Sequence, residues 1–192
     1  MSSNRNTVIR AMHDVGAAAW FGGSLMGAVA VNGASQDISD TADRARVAAA
    51  GWARWSPVAA AAIGAHLVGG AGLLLANRDR VRRQSGVTAN TMAKTLLTAA
   101  ALATTAYSGV LGAKVAAAGQ VESAGGTKPT SDTPSEVAKS QQQLRFLQWA
   151  TPALTGAVIV LGAQQGEQER PVERLRGAGR KLARKGQDVL HN

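Results

Sequence analysis

Residues 15–36 read VGAAAWFGGSLMGAVAVNGASQ and contain no Asp, Glu, Lys or Arg in 22 residues. Three more uncharged runs follow at residues 55–77, 95–113 and 146–166, with lengths of 23, 19 and 21 residues. About 20 apolar residues are enough for an α-helix to cross the hydrocarbon core of a bilayer. A soluble amphipathic helix would instead carry charges on its outer face every turn or so. The four runs therefore predict four membrane-spanning helices.

The composition leaves one competing interpretation, a soluble Ala-rich helical bundle. The runs are rich in Ala and Gly, which makes each single span marginal on insertion scales. The mean hydropathy of −0.05 is low for a membrane protein, but the polar connections and the tail dilute it. A soluble bundle would leave these helices without a solvated face, so we favour an all-α bundle of four transmembrane helices. Its domain comprises residues 1–166, with spans near 12–34, 55–77, 93–118 and 146–166, followed by a basic cytoplasmic tail at 167–192.

The basic residues predict the topology of the chain. The N-terminus, the second connection and the tail together hold 14 Lys and Arg and 6 acidic residues, a net charge of +8. The other two connections hold 7 Lys and Arg and 6 acidic residues, a net charge of +1. Lys and Arg are enriched in cytoplasmic loops, so both termini are predicted to lie in the cytoplasm. The protein is accordingly predicted to be a multi-pass protein of the cytoplasmic (inner) membrane. The second connection supplies four of these membrane-interface arginines: Arg78, Arg80, Arg82 and Arg83.

Three tryptophans mark the opposite membrane interface. Trp52, Trp55 and Trp149 all lie near the predicted outer ends of spans two and four. Amphipathic indoles are enriched at that depth. Ser56-Pro57 and Thr151-Pro152 follow directly, as expected if Ser or Thr caps a helix whose first turn contains Pro. If the helices continue upstream through the prolines, a kink is expected instead.

The segments outside the spans are less regular. In the outer connection 35–54, a short helix beginning near Ser39 would either lie on the membrane or extend span two outward. Residues 120–135 contain Gly, Pro, Ser and Thr and predict an irregular loop. A helix beginning near Ser135 then leads into span four. The basic tail is either an amphipathic helix beside anionic headgroups or a solvated, frayed segment.

Matching motifs suggest that the bundle contains two repeated helical hairpins. Trp55-Ser56-Pro57 at the start of span two resembles Trp149-Ala150-Thr151-Pro152 at the start of span four. Same-orientation copies would be related by an axis along the membrane normal. Spans rich in Ala and Gly also resemble one another by composition alone, so both explanations stay open.

Span one carries a face of small residues. Ala19, Gly23 and Gly27 are spaced by four, which places them in a groove along one side of the helix. Such faces allow helix backbones to approach closely in lipid. The sequence therefore predicts a helix-packing surface here.

His66 is the candidate cofactor-binding residue, because it is titratable and lies in the middle of span two. Such groups usually face the bundle interior or a cavity. It could ligate haem iron or a metal, relay a proton, or be a neutral imidazole hydrogen-bonded to a neighbouring helix. Two-histidine haem ligation would need a partner at matching depth, and His13 is expected at the inner edge of span one. We predict a neutral, inward-facing imidazole with no bound iron or copper.

The sequence contains no complete catalytic, metal or nucleic-acid motif, and it has no cysteine. The first functional hypothesis is therefore a non-enzymatic accessory or scaffold subunit, a homo-oligomer or the partner of another membrane protein. The second is a haem- or metal-linked protein centred on His66. The third is a conduit for a small solute or ion, lined by His66, Thr104, Thr105 and Tyr107. A cavity reaching His66 would favour the third hypothesis, and a filled core the first.

Residues 13–23, HDVGAAAWFGG, resemble the first-helix pattern His-x6-Trp-x-Gly-Gly of copper-resistance D-like membrane proteins. The resemblance covers 11 residues and implies a bacterial inner-membrane protein and, loosely, copper or haem handling. No Met- or His-rich cluster accompanies the pattern. The Ala-, Gly- and Arg-rich composition is also similar to that of small uncharacterised four-helix membrane proteins of actinobacterial type.

Overall fold

A computed structural model of the protein describes residues 6–78 and 85–168, with the backbone alone for residues 85–87 and 165–168. The described residues form four long helices: α1 (Thr7–Met26), α2 (Arg44–Ala76), α3 (Ser85–Ala117) and α4 (Ser135–Gln168). Helix α1 continues through a π-helical turn at Gly27–Val31 and a short turn at Asn32–Ala34 into a 3₁₀ turn at Ser35–Asp37. The predicted tail helix and Arg80, Arg82 and Arg83 lie outside the described residues.

The four predicted spans are confirmed as helices long and apolar enough to cross a membrane. These helices are longer than the uncharged stretches of sequence. A charged residue marks the end of an uncharged stretch, but it does not terminate a helix. Helix α2 has 33 residues, which at 1.5 Å per residue is about 50 Å. A hydrocarbon core of about 30 Å would leave the remaining turns in the headgroup region and beyond.

Both prolines lie inside helices, so of the two alternatives that the sequence left open, the helices continue upstream through the prolines and do not begin there. Pro57 is preceded in α2 by three turns of helix, and Pro152 lies midway along α4. The adjacent hydroxyls therefore do not act as N-caps. Ser56 Oγ donates to the Trp52 carbonyl oxygen over 2.9 Å, within its own helix. Thr151 Oγ1 instead donates to Thr104 Oγ1 on α3 over 3.2 Å.

The outer connections are more ordered than predicted. Helix α2 begins directly after Asp43, so the segment after Ser39 extends span two rather than forming a separate surface helix. The segment predicted as an irregular loop contains an antiparallel β-hairpin of β1 (Ser123–Gly125) and β2 (Lys128–Pro129). Its backbone is bonded to the chain before α2, through Val121 N to Ala42 O and Ser123 N to Thr41 O, each 3.2 Å.

The helices are arranged as two hairpins, α1/α2 and α3/α4. The helices of each hairpin contact each other extensively, α1 also packs on α4, and α2 touches α3 much less. Connections 38–43 and 118–134 meet at one end of the bundle, which we call the outer end. A crevice therefore runs between α2 and α3, with α1 and α4 as its floor. The candidate site lies in this crevice.

Candidate functional site

Two glycines bring α1 and α2 into backbone contact. A Cβ atom on Gly16 would lie 2.5 Å from Ala62 O and 2.6 Å from His66 N. A Cβ atom on Gly69 would lie 2.5 Å from His13 N. Only glycine fits at such distances, because the neighbouring atoms belong to helix backbone and cannot move independently. This approach fixes the relative height of the two helices and therefore of their histidines.

The two histidines of the crevice lie against each other. The ring centroids of His13 and His66 are 4.3 Å apart, and the planes are tilted by 36°. His66 is 3% exposed, and its Nδ1 donates to the His13 carbonyl oxygen over 3.0 Å. His13 Nδ1 lies 2.8 Å from Asp14 Oδ1. The expected inward orientation of His66 is confirmed, but the expected separation of His13 from it is wrong.

A cavity of about 680 Å³ reaches both histidines from the inner end of the bundle. Its wall near that end is polar, with Arg10, Asp14 and Lys94 contributing two positive charges and one negative charge. Thr95 and Thr98 line its α3 side. We call it the inner cavity. The arrangement can hold a small polar or anionic solute near the two imidazoles.

A hydrogen-bonded layer closes the deep end of the inner cavity. Trp20 is 3% exposed, and its Nε1 donates to Thr105 Oγ1 over 3.1 Å, from α1 to α3. Its ring centroid lies 6.2 Å from that of His66. Thr104 joins the same layer by accepting the bond from Thr151 of α4. The layer therefore ties α3 to both helices of the floor.

The small-residue groove of α1 contacts aromatic rings of α2 rather than a helix backbone. A Cβ atom on Gly23 would lie 1.8 Å from Trp55 Cζ2, and one on Gly27 would lie 2.2 Å from Trp52 Cη2. The groove therefore receives two indole rings of α2, and the closest backbone contact lies deeper, at Gly16 and Gly69. Ala19, the third small residue of the groove, is half-buried. Trp52 and Trp55 pack inward rather than forming an outward-facing belt, whereas Trp149 is 51% exposed.

A second cavity of about 340 Å³ lies beyond the Trp20 layer, in the outer half of the crevice. Trp20, Trp52 and Trp55 line it, opposite the small residues Gly109 and Gly112 of α3. Residues 126 and 127 of the hairpin form part of its lining at the outer end. We call it the outer cavity. None of its lining residues is charged.

Asn32 connects three helices at the outer end. Its Nδ2 donates to Gln148 Oε1 of α4 over 2.8 Å, and its Oδ1 accepts from Trp52 Nε1 of α2 over 3.0 Å. Asn32 follows the π-helical turn directly and is 5% exposed. Such turns change the facing of the residues that follow and are frequent at functional sites. The turn therefore lets one side-chain amide bond both Gln148 of α4 and Trp52 of α2, two residues that line the outer cavity.

Gln141 and Ser35 anchor the β-hairpin. Gln141 is fully buried, and its Nε2 lies 3.2 Å from Ser123 Oγ and 3.1 Å from the Gly125 carbonyl oxygen. Ser35 Oγ accepts from Gly126 N over 2.9 Å and donates to the Asn32 carbonyl oxygen over 2.8 Å. The Gln141 amide nitrogen is bonded to the hairpin although its Oε1 has no partner in the described residues, and such directional bonds in a buried site specify one position of a segment. The hairpin is thus a fixed roof.

Asp43 holds the outer connections together at the surface. Its Oδ1 accepts from Arg46 Nε over 2.9 Å and from Gln120 Nε2 over 2.8 Å. These two bonds lower the pKa of Asp43 from 3.8 to about 2. The carboxylate therefore keeps its charge, and its hold on the hairpin, at all but strongly acidic pH.

The histidine pair does not fit two-histidine haem ligation. Axial ligands point their nitrogens at the iron from opposite faces of the haem. Here the two rings pack against each other at 4.3 Å, so no haem plane fits between them. No group of three or more His, Cys, Asp or Glu that could hold a metal ion occurs in residues 6–78 and 85–168. The copper or haem handling implied by the resemblance of residues 13–23 has no matching ligand set in the described chain.

The residues predicted to line a conduit are divided by the structure. His66 lines the inner cavity and Thr105 the outer one. Thr104 lies in the layer between them, with its hydroxyl donated to the Ala101 carbonyl oxygen. Tyr107 lines neither cavity; it is 48% exposed and bonded to Gln143. Arg78 is exposed at the end of α2, as expected of an interface arginine.

Several residues that build the site were missed from the sequence. Gly16 and Gly69 were hidden among 22 glycines. Asn32 and Gln141 were the better signals, because a polar amide in or beside an apolar run needs a buried partner. Thr105 was found, but not its bond to Trp20.

Comparison with known proteins adds no relative. No protein-family model, curated protein or solved structure matches the chain.

Proposed function

We propose that the protein is a non-enzymatic, multi-pass protein of the cytoplasmic membrane that binds a small anion from the cytoplasm in the inner cavity. The observation that carries this proposal is the 680 Å³ cavity reaching His66. A filled core would have favoured a purely structural scaffold. Arg10 and Lys94 contribute two cationic groups to the wall beside the carboxylate of Asp14, and cationic groups in a low-dielectric cleft attract anions. The large volume allows the anion to keep part of its water.

The proposal extends to a conduit if the Trp20 layer opens. In the closed arrangement, the Trp20–Thr105 bond separates the two cavities. Opening would break this bond, which contributes about 1 kcal/mol, and would also have to move the buried indole of Trp20. An anion passing Thr104 and Thr105 would then enter a cavity that no charged residue lines, so anion binding is the primary proposal and the conduit stays the third hypothesis from the sequence.

The membrane assignment and topology belong to the same proposal. Four helices that satisfy their own backbone hydrogen bonds resist extraction from lipid. The protein is expected in the membrane pellet after carbonate treatment, with both termini and the second connection in the cytoplasm. The two hairpins are proposed to be a duplicated unit, and the tail to lie on anionic headgroups as a basic helix. Recovery in the soluble fraction without detergent would overturn the assignment.

Anion binding is tested by thermal unfolding in detergent at constant ionic strength. Chloride, formate or phosphate replaces bulky gluconate, and a bound anion raises the unfolding temperature in a saturable way. Lys94→Gln should weaken the apparent affinity about tenfold or more, since a hydrogen bond to a charged group contributes about 1.5–3 kcal/mol. Lys114→Gln is the matched control, because Lys114 lies on the same helix and lines neither cavity.

The outcomes separate the functional hypotheses. Saturable stabilisation that Lys94→Gln weakens and Lys114→Gln leaves intact supports the proposal. No anion effect in the wild type overturns it and makes the accessory or scaffold subunit the leading hypothesis. A Soret band in the purified protein that disappears in His66→Leu would promote the haem-linked hypothesis. Proteoliposome swelling in potassium salts with valinomycin then reports whether bound anions also cross.

A further inference from the structure

The outer cavity is a second site, separate from the inner cavity by position and by chemistry. The inner cavity has charged residues at its mouth, whereas no charged residue lines the outer one. Its volume of about 340 Å³ falls within the range of small-molecule sites. Apolar cavities of about 150 Å³ stay dry and accept benzene. A cavity about twice that size therefore suits a ligand of two aromatic rings.

The outer cavity is open toward the sides of α2 and α3. Ala53 and Ser56 of α2, and Gly109, Ala113 and Ala116 of α3, belong to its lining and are exposed on the helix surface. The hairpin covers its outer end with the buried residues Gly126 and Thr127. A ligand would thus enter between α2 and α3 from the bilayer rather than from water. Entry through lipid requires an uncharged, largely apolar molecule.

The indoles of the wall favour flat aromatic rings over a flexible chain. Trp20 and Trp52 are held by hydrogen bonds from their Nε1 atoms to Thr105 and Asn32. Their polar atoms are thereby satisfied, and the rings are fixed as apolar walls. Aromatic pairs contribute more than their buried area alone, which an acyl chain cannot match. Opposite them, a Cβ atom on Gly109 or Gly112 would meet no atom within 4 Å, so the α3 side has room.

Two hydroxyls and one indole nitrogen of the outer-cavity lining are left without a hydrogen bond within the described residues: those of Ser108, Thr127 and Trp55. Ser108 lines the outer cavity, and its hydroxyl makes no hydrogen bond within the described residues. Trp55 Nε1 also has no acceptor in the described part of the chain. The indole N–H can only donate and the hydroxyls can donate as well as accept, so an acceptor oxygen on the ligand is the group that all three can bond. We propose that the outer cavity binds a neutral bicyclic aromatic molecule carrying a carbonyl oxygen, taken up from the bilayer.

The proposal is tested with 2-acetylnaphthalene on the full-length protein in lipid nanodiscs, with 2-ethylnaphthalene as the probe without the oxygen. Energy transfer from tryptophan to the probe should show a saturable component above partition into empty nanodiscs. Gly112→Leu should abolish that component by filling the cavity. Gly22→Leu is the matched control, because Gly22 also has open space around it but lines neither cavity.

The oxygen gives a second readout that a fold defect would not mimic. Ser108→Ala should weaken 2-acetylnaphthalene binding about fivefold, the equivalent of one hydrogen bond, and leave 2-ethylnaphthalene unchanged. No saturable binding to the wild type overturns the proposal, as does equal binding by Gly112→Leu and Gly22→Leu. Equal affinities of the two probes would overturn the role of the carbonyl oxygen, and displacement of both probes by alkanes would show that the cavity is a site for an acyl chain instead. Anion binding in the inner cavity is unaffected by any of these results.

Discussion

The contact between α1 and α2 can be tested by adding one methyl group. In Gly16→Ala the new Cβ would lie 2.5 Å from Ala62 O, whereas ordinary contact begins near 3.4 Å. The helices would have to separate by about 0.9 Å, the difference between these distances. The bond from His66 Nδ1 to His13 O, now 3.0 Å, would then reach about 3.9 Å, beyond hydrogen-bonding range.

The magnitude follows from three contributions. Overpacking of this kind costs about 1–3 kcal/mol, and the lost hydrogen bond about 1 kcal/mol more. The helix propensity of Ala over Gly returns about 1 kcal/mol. Gly16→Ala should therefore lower the free energy of unfolding by about 1–3 kcal/mol. Gly22→Ala, with open space around its Cβ, should raise it by up to about 1 kcal/mol.

The assay is equilibrium unfolding by SDS in mixed micelles, followed by the near-ultraviolet dichroism of the tryptophans. The two variants differ from the wild type by the same methyl group on the same helix. Their difference therefore reports the α1–α2 contact and not composition. If Gly16→Ala were as stable as Gly22→Ala, the close approach at Gly16 would be wrong, and with it the placement of His13 beside His66.

Three further predictions concern the outer end and the topology. Gln141→Leu should release the β-hairpin and increase its cleavage by protease, while Gln142→Leu, at an exposed position, should not; equal cleavage would contradict the anchoring role. Because the pKa of Asp43 is lowered from 3.8 to about 2, its stabilising contribution is complete above pH 3.8 and is lost as pH falls through about 2. The unfolding temperature should therefore fall between pH 4 and 2, and Asp43→Asn should abolish this fall. An unchanged pH profile in the variant would mean that another group causes it. A cysteine at Ser131 should react with an impermeant thiol reagent on intact cells, and a cysteine at Ser85 should not. The reverse pattern would mean that the topology predicted from the Lys and Arg distribution is wrong.

The candidate site was only partly predictable from the sequence. His66 stood out, since a lone titratable residue within an apolar run needs a special environment. Its partner was misplaced, because His13 was positioned by its distance from the end of the uncharged run. The helix in fact starts at Thr7, and the register between α1 and α2 is set by Gly16 and Gly69. Register between two helices is a property of their contact and has no signal in either sequence alone.

The tryptophans show the same limit in another form. Trp52 and Trp55 were assigned an interfacial depth from their place along the chain. Depth is a coordinate along the helix, so sequence position constrains it. Facing is a rotation about the helix axis, and only the clearance at Gly23 and Gly27 reveals that both indoles turn inward.

Four helices long and apolar enough to cross a membrane could be predicted from the sequence, because the hydrophobicity of a segment is the sum of its own residues. The sequence could not determine which faces of those helices meet. Spans built from Ala and Gly have no strongly apolar side to mark the interior, so every face is nearly equivalent by composition. Tertiary contacts set which faces meet: backbone contact at two glycines, a π-helical turn before Asn32 and a hairpin held by Gln141. Those contacts leave α2 and α3 apart, and the two cavities lie in the space between them.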